Sequence, residues 1–270
     1  MILDEIAGKT RERVAAGKKA VPPEEMRRMA LRKEHGDFPF EKVLRREGLS
    51  FICEVKKASP SRGLIAGDFP YLEIAADYEA AGAAAVSVLT EPYFFQGENR
   101  YLSEIAETVS LPVLRKDFTV DEYMIYEAKV MGADAVLLIC ALLGEKELRR
   151  GIETAHELGL SALVETHDGK EIDEALAAGA RIIGVNNRNL RDFTVDIENS
   201  IRLRDIVPED VLFVSESGIR TPRDIRRLRE NGTDAVLIGE SLMTSSDRRR
   251  ALKELRGEHH AENGTGGKTV

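Results

Sequence analysis

Four segments of this chain repeat one motif, a Gly-containing small-residue turn followed by an apolar run, and this repetition limits the fold more than any other feature. They read AGAAAVSVL (81–89), MGADAVLLI (131–139), AGARIIGVN (178–186) and NGTDAVLIG (231–239). In each, Gly closes a helical stretch, where it adopts the left-handed conformation cheaply, and a strand-like run follows. Further apolar runs lie between them: FICEV (51–55), LPVLRKDF (111–118), SALVETH (161–167) and VLFVSES (211–217). Amphipathic stretches such as 71–82, 121–132 and 221–232 separate most of these runs. The last opens with Thr221 as a cap, Pro222 in the first turn and Asp224 to complete a capping box. Strands alternating with helices imply a parallel sheet. About eight such units in roughly 210 residues predict a closed (β/α)8 TIM barrel. An open doubly wound sheet is the weaker alternative, because no G-x-G-x-x-G turn follows the first strand.

The chain is expected to be one barrel domain over residues 1–256. Residues 1–47 fall outside the repeat; their charged, helix-prone segments, broken at Pro22-Pro23 and between Gly36 and Pro39, predict an N-terminal helical extension packed on the barrel. Arg27, Arg28, Arg32 and Lys33 read as a solvated helix face. Residues 257–270 are poor in apolar side chains and are expected to be a disordered tail, with His259 and His260 inert.

The 270 residues, 43% of them hydrophobic, supply one sizeable core. The longest apolar run, Ala135 to Leu143, is too short for a bilayer, which needs about 20 residues. The first ten residues show no basic-then-apolar pattern, so no signal peptide is expected. Cys53 and Cys140, each inside an apolar run, read as buried thiols in a reducing cytoplasm; their spacing suits neither zinc nor a redox pair. The net charge of −8 argues against broad nucleic-acid binding, and any anionic substrate would need locally clustered Lys and Arg.

Such a cluster can be read off the strands. Barrel strands alternate side chains between the interior and the helix layer. Ile52, Glu54 and Lys56 share a face on strand 1; Leu114 and Lys116 on strand 3; Leu163 and Glu165 on strand 5; Asn186 and Arg188 at the end of strand 6; Leu212, Val214 and Glu216 on strand 7. Every polar member lies at the C-terminal end of its strand, where this architecture keeps its active site. Lys56, Lys116 and Arg188 would hold or polarise an anion. Glu54, Glu165 and Glu216 would supply bases and keep the lysines ionised. Strands 7 and 8 end in Ser215-Glu216-Ser217-Gly218-Ile219 and Ile238-Gly239-Glu240-Ser241, whose Gly and short helix start suit a phosphate.

Lys57 to Gly63 form a loop that either covers the site or merely connects elements. Phe94 and Phe95, after strand 2, either close over an aromatic ligand or pack on the rim. His156 is expected to be exposed on a helix. His167 shares the face of Glu165 and is expected to be a satisfied residue at the surface or behind the site. No metal cluster and no Ser–His–Asp arrangement stands out.

With these residues in view, EVKKASPSRG (54–63), VLRKDF (113–118), LVETH (163–167), IIGVNNRNL (182–190), SESGI (215–219) and LIGESLM (237–243) resemble, in order and spacing, the strand-end motifs of indole-3-glycerol phosphate synthases. The resemblance covers about residues 1–255. It implies conversion of 1-(2-carboxyphenylamino)-1-deoxyribulose 5-phosphate to indole-3-glycerol phosphate, with loss of CO2 and water, in tryptophan biosynthesis, and it implies no cofactor and no metal. By resemblance, Lys116 is the general acid toward the substrate carbonyl and Glu165 an acid–base residue for later steps. Lys56 binds anionic groups, the phosphate included, and is a candidate acid in dehydration. Glu54 orients the lysines or acts as a base. Asn186 and Arg188 position the substrate, and Ser59, Glu216 and Ser217 fill the remaining substrate positions. Gly218, Gly239 and Glu240 offer N–H groups to the phosphate.

The implied partner is this small phosphorylated molecule, with no nucleic acid and no membrane. Monomer, homodimer and association with other tryptophan-pathway enzymes stay open. Two positions depart from the family pattern: Glu98 stands where Ser is common, leaving the local loop contacts in question, and Asn189 replaces a common Asp. Phosphoribosylanthranilate isomerase, a related barrel enzyme, would need a Cys at the end of strand 1, but Cys53 precedes Glu54 on the face opposite Lys56. A phosphate-binding scaffold without turnover fits poorly with the intact set Glu54, Lys56, Lys116 and Glu165.

Overall fold

The computed structural model describes residues 2–189 and 192–258. The eight apolar runs form β1 (Ser50–Val55), β2 (Ala85–Leu89), β3 (Val113–Lys116), β4 (Ala135–Ile139), β5 (Ser161–Thr166), β6 (Ile182–Asn186), β7 (Leu212–Glu216) and β8 (Ala235–Ile238). All pair in parallel with their sequence neighbours, and β8 pairs with β1 to close the barrel. Side chains alternate as the pleat requires. Ile52, Leu114, Leu137, Leu163, Leu212, Val214 and Leu237 fill the interior, while Cys53, Val136, Leu138, Val164 and Phe213 face the helices.

The outer helices are α4 (Tyr71–Ala80), α5 (Asn99–Thr108), α6 (Glu122–Met131), α7 (Glu145–Glu157), α8 (Gly169–Ala177), α9 (Glu198–Leu203), α10 (Pro222–Glu230), α11 (Glu240–Met243) and α12 (Arg248–Arg256). The capping box expected on α10 is present: Thr221 Oγ1 accepts from the Asp224 N–H, and Asp224 accepts from the Thr221 N–H. α5 lacks such a cap, because Glu98 at its N-cap takes the Tyr101 hydroxyl (2.6 Å) instead.

The N-terminal extension spans the full height of the barrel. α1 (Ile2–Ala20) lies at the C-terminal rim. There Arg13 pairs with the buried Asp117 (2.7 Å) and Lys18 with Asp121 (2.6 Å). α2 (Pro23–Arg32) descends along α6; its Met26 joins Val14, Tyr123 and Met124 in a separate apolar cluster, and Arg27, Arg28, Arg32 and Lys33 face solvent as expected. α3 (Pro39–Leu44) ends at the opposite mouth, where Phe40 and Leu44 enter the barrel interior and stop it like a plug. Hydrogen bonds at strand beginnings hold it there, from the Glu41 N–H to Ser161 Oγ and from Ser50 Oγ to the Val43 carbonyl.

His156 differs from its expected exposure. It is half-buried on α7, edge-on to Phe38 at 5.7 Å, and burial beside Arg181 brings its pKa down to about 4. Cys53 and Cys140 are buried free thiols. The tail from 259 onward, with His259 and His260, lies outside the described residues. Among the described residues, no helix is long and apolar enough to cross a membrane.

Because Phe40 is fully buried in the barrel mouth, Phe40→Ala should cost on the order of 3–5 kcal/mol of stability. Denaturant titration measures it; an unchanged midpoint would contradict the plug.

Candidate active site

All twelve candidate residues line one cleft of about 1200 Å³, open mouth included, at the C-terminal rim: Glu54, Lys56, Ser59, Lys116, Glu165, Asn186, Arg188, Glu216, Ser217, Gly218, Gly239 and Glu240. The alternation explains the convergence. Glu54 stands two residues beyond Ile52, Lys116 beyond Leu114, Glu165 beyond Leu163 and Glu216 beyond Val214, so each is the next inward-facing layer above an apolar one. Leu137, Ile139 and Leu237 supply apolar lining, and Ile2, Leu3 and Ile6 of α1 cover part of the mouth.

Lys116 sits at the centre. Its Nζ lies 3.4 Å from Glu165 and 3.7 Å from Glu216, while Lys56 Nζ donates to Glu54 at 2.6 Å. Burial works against the Lys116 ammonium, but the charges of Glu165, Glu216 and Glu54 outweigh it and raise its pKa above the ordinary lysine value. Burial likewise opposes ionisation of Glu165, yet Lys116, His167 and an Asn186 hydrogen bond bring it below the usual carboxylate value. Glu54 is lowered too, against burial, by Lys56 and Lys116.

Glu216 goes the other way. Burial, with repulsion from Glu165 and Glu54, pushes it up to about 8 despite Lys116. Three carboxyl groups thus share two ammonium groups, and the least compensated carboxyl keeps its proton. Its Oε1 is buried without a hydrogen-bond partner. Gly184 on β6 makes room for it, since a Cβ there would run into that same oxygen. Expected as one of three bases, Glu216 is the neutral member at neutral pH.

The end of the cleft expected to take a phosphate is built from the β7 and β8 exits. Ser217 and Gly218 both have left-handed backbones (φ 69° and 81°). Gly239 caps α11, whose first-turn N–H groups have no intrahelical acceptor. The Glu240 carboxylate gathers Arg62 (2.6 Å), Arg220 (3.4 Å) and Arg188 (3.5 Å), and these cations hold its pKa down against partial burial.

The loop after β1 does more than connect: Ser59, Pro60 and Ser61 line the cleft, braced by a two-residue antiparallel pairing of Ala58–Ser59 with Gly63–Leu64. The aromatic pair divides. Phe95 lines the cleft and packs 5.8 Å from Phe118, whereas Phe94 does not reach it. Among the described residues, no group of three or more His, Cys, Asp and Glu side chains could hold a metal ion.

Sequence reasoning assigned no role to three buried groups that set this geometry. Asn187 donates to Ser215 Oγ (3.0 Å) and the Ser217 carbonyl (3.1 Å) and accepts from Ser200 Oγ (2.8 Å), tying the β6 and β7 exits to α9. Asp117 joins Arg13 of α1, Thr90 and Arg115. Glu91 accepts from the backbone N–H groups of Tyr93, Phe94 and Phe95, fixing the loop that presents Phe95. Asn187 directly follows a cleft residue and so faces the helix layer, and Asp117 lies at the cleft wall; in either place a buried polar side chain must find partners. That signal was in the sequence.

A family model described as indole-3-glycerol phosphate synthase matches residues 3–255. The chain is 58% identical over 258 residues to the indole-3-glycerol phosphate synthase of Ruminiclostridium cellulolyticum, covering 95% of this chain and 99% of that one. It is 56% identical over 257 residues to that of Endomicrobium trichonymphae, covering 95% and 100%. Among solved structures it resembles 3-hexulose-6-phosphate synthase from Salmonella typhimurium (TM-score 0.64, 15% identity, 78% of this chain and 100% of that one). It also resembles thiamine phosphate pyrophosphorylase from Pyrococcus furiosus (TM-score 0.58, 19% identity, 80% and 96%). At these identities the structural likeness speaks for the fold alone.

The Glu216 shift has a stability consequence. Its pKa rises on folding, so the stability it allows is fully present below the ordinary value of 4.5 and is lost as pH climbs to about 8. Glu216→Gln removes that loss. Urea titrations should show the variant gaining stability relative to the parent between these pH values and no further above them; a pH-independent difference would contradict the assignment.

Proposed function

Since the chain belongs to the indole-3-glycerol phosphate synthase family of carboxy-lyases, we propose how its rim residues divide that reaction. The substrate presents a phosphate at one end, a benzoate carboxylate at the other and a ketone between. The phosphate seats against the N–H groups of Gly218, Gly239 and Glu240, with Lys56 nearby. Arg188, Asn186, Ser59 and Ser217 position the remainder, and Phe95 and Phe118 offer aromatic faces.

In ring closure, the ring carbon bearing the carboxylate attacks the ketone carbon. Lys116 delivers its proton to the oxygen as negative charge develops there, which is where a held ammonium lowers the barrier most. The carboxylate then leaves as CO2, and the electrons of the broken bond restore the aromatic ring. In dehydration, Glu165 removes a proton from the carbon between the nitrogen and the former ketone. Lys56 protonates the departing hydroxyl, which leaves as water. Glu54, bonded to Lys56 at 2.6 Å, orients that lysine. Neutral Glu216 spares Lys116 a third full counter-charge. The observation that carries this reading is Lys116 Nζ, at the centre of the cleft between Glu165 and Glu216.

Every residue named comes from one chain, which supports turnover by a monomer or by each half of a homodimer. We place the protein in the cytoplasm, where its two thiols stay reduced, and treat residues 1–256 as one folding unit. Lys116→Ala should lower kcat by a factor on the order of 10²–10⁴ or more while leaving the fold intact. Indole fluorescence appearing on addition of the carboxyphenylamino substrate measures it. Near-normal turnover would remove Lys116 from the general-acid role.

A further inference from the structure

Glu165 touches His167 on the side away from the cleft. The cleft lining includes Glu165 and not His167. His167 Nε2 lies 3.6 Å from Glu165 Oε1, while Lys116 approaches Oε2. On the other edge of the ring, Nδ1 lies 3.0 Å from Glu171 Oε2, the same oxygen that accepts the His167 backbone N–H at 2.7 Å. The His167 carbonyl accepts from Asn199 Nδ2 at 3.0 Å, so both sides of the residue are fixed. Nε2 is buried with no hydrogen-bond partner, which is costly unless the atom has work to do.

A carboxylate at Nδ1 makes that nitrogen the donor. Nε2 then has two states. In the imidazolium it points an N–H at Glu165 Oε1. In the neutral ring it points a lone pair there, which suits Glu165 only when Glu165 carries a proton. Either way one proton is held between the two groups. We propose that His167 is a positioning residue for Glu165: as the imidazolium, with Glu171 as its second counter-charge, it points its Nε2–H at Glu165 Oε1 and keeps that carboxylate ionised as the base.

The groups that face the ring are few. Glu165 and Glu171 flank it, and Glu216 acts on it from farther off. From the end of β4, Cys140 bonds the Glu171 carbonyl and stays a thiol, its pKa pushed up to about 12 by burial and the surrounding carboxylates. Burial opposes the imidazolium, but Glu171 and Glu165 raise the His167 pKa overall.

The inference rests on the acid–base reading of Glu165, so the test carries both. In His167→Ala, kcat should fall on the order of 10-fold, less than for a group that transfers the substrate proton itself, with KM little changed. Loss of the cation beside Glu165 should move the acidic limb of the kcat profile to higher pH, and added imidazole should restore part of the rate. Glu171→Gln, which leaves the ring in place, should move the limb the same way and serves if His167→Ala folds poorly. An unmoved limb in the folded variants, or a lost rate that imidazole does not restore, overturns the role of His167. If Glu165→Gln keeps full turnover, the reading of Glu165 itself fails; if that variant is inactive while His167→Ala matches the parent, only the inference about His167 fails.

Discussion

The cleft depends on one electrostatic balance: the Lys116 ammonium buried among Glu165, Glu216 and Glu54. An ammonium in a protein interior without counter-charges would lose its proton, and carboxylates without a cation would gain theirs. With Lys56 bonded to Glu54 and Lys116 beside Glu165, two positive charges meet two negative ones, and the third carboxyl remains neutral. The arrangement holds an ammonium on Lys116 and a carboxylate on Glu165 within hydrogen-bond reach of each other before any substrate enters. A ring closure that needs a proton given and a dehydration that needs one removed can draw on the same cluster.

The barrel makes this balance tolerable by holding each charge on a rigid strand end above an apolar layer. The extension contributes at both ends of that axis. Phe40 and Leu44 complete the core below, and α1, anchored by Arg13 on Asp117, brings Ile2, Leu3 and Ile6 over the mouth. Apolar walls above and below the charges strengthen the interactions between them. The same covering explains why Asp117 is buried although it lies directly beside an open cleft: its partners come from β3, the end of β2 and α1 together.

Much of this was legible in the sequence because it follows from period. Two-residue alternation placed Glu54, Lys116, Glu165 and Glu216 on the inner face, and the Gly turns at 82, 132, 179 and 232 marked the unit boundaries; all four have left-handed backbones. The capping box at Thr221 is local and needed only four residues. Less legible were features that depend on who sits opposite. The neutral state of Glu216 arises from burial together with the other strands' carboxylates, and no periodicity reports that. His156 looks like a surface residue until Phe38, more than a hundred positions earlier, folds against it. The plug made by α3 was hidden because a six-residue helix with two buried side chains shows no strong pattern of its own.

Infrared difference spectroscopy of the substrate-free protein, comparing it with Glu216→Gln across pH, addresses the charge balance most directly. The account predicts a protonated-carboxyl C=O band at pH 6 that is absent from the variant and fades as the pH passes about 8. A spectrum at pH 6 with no such band, all three cleft carboxyls being ionised together, would contradict it.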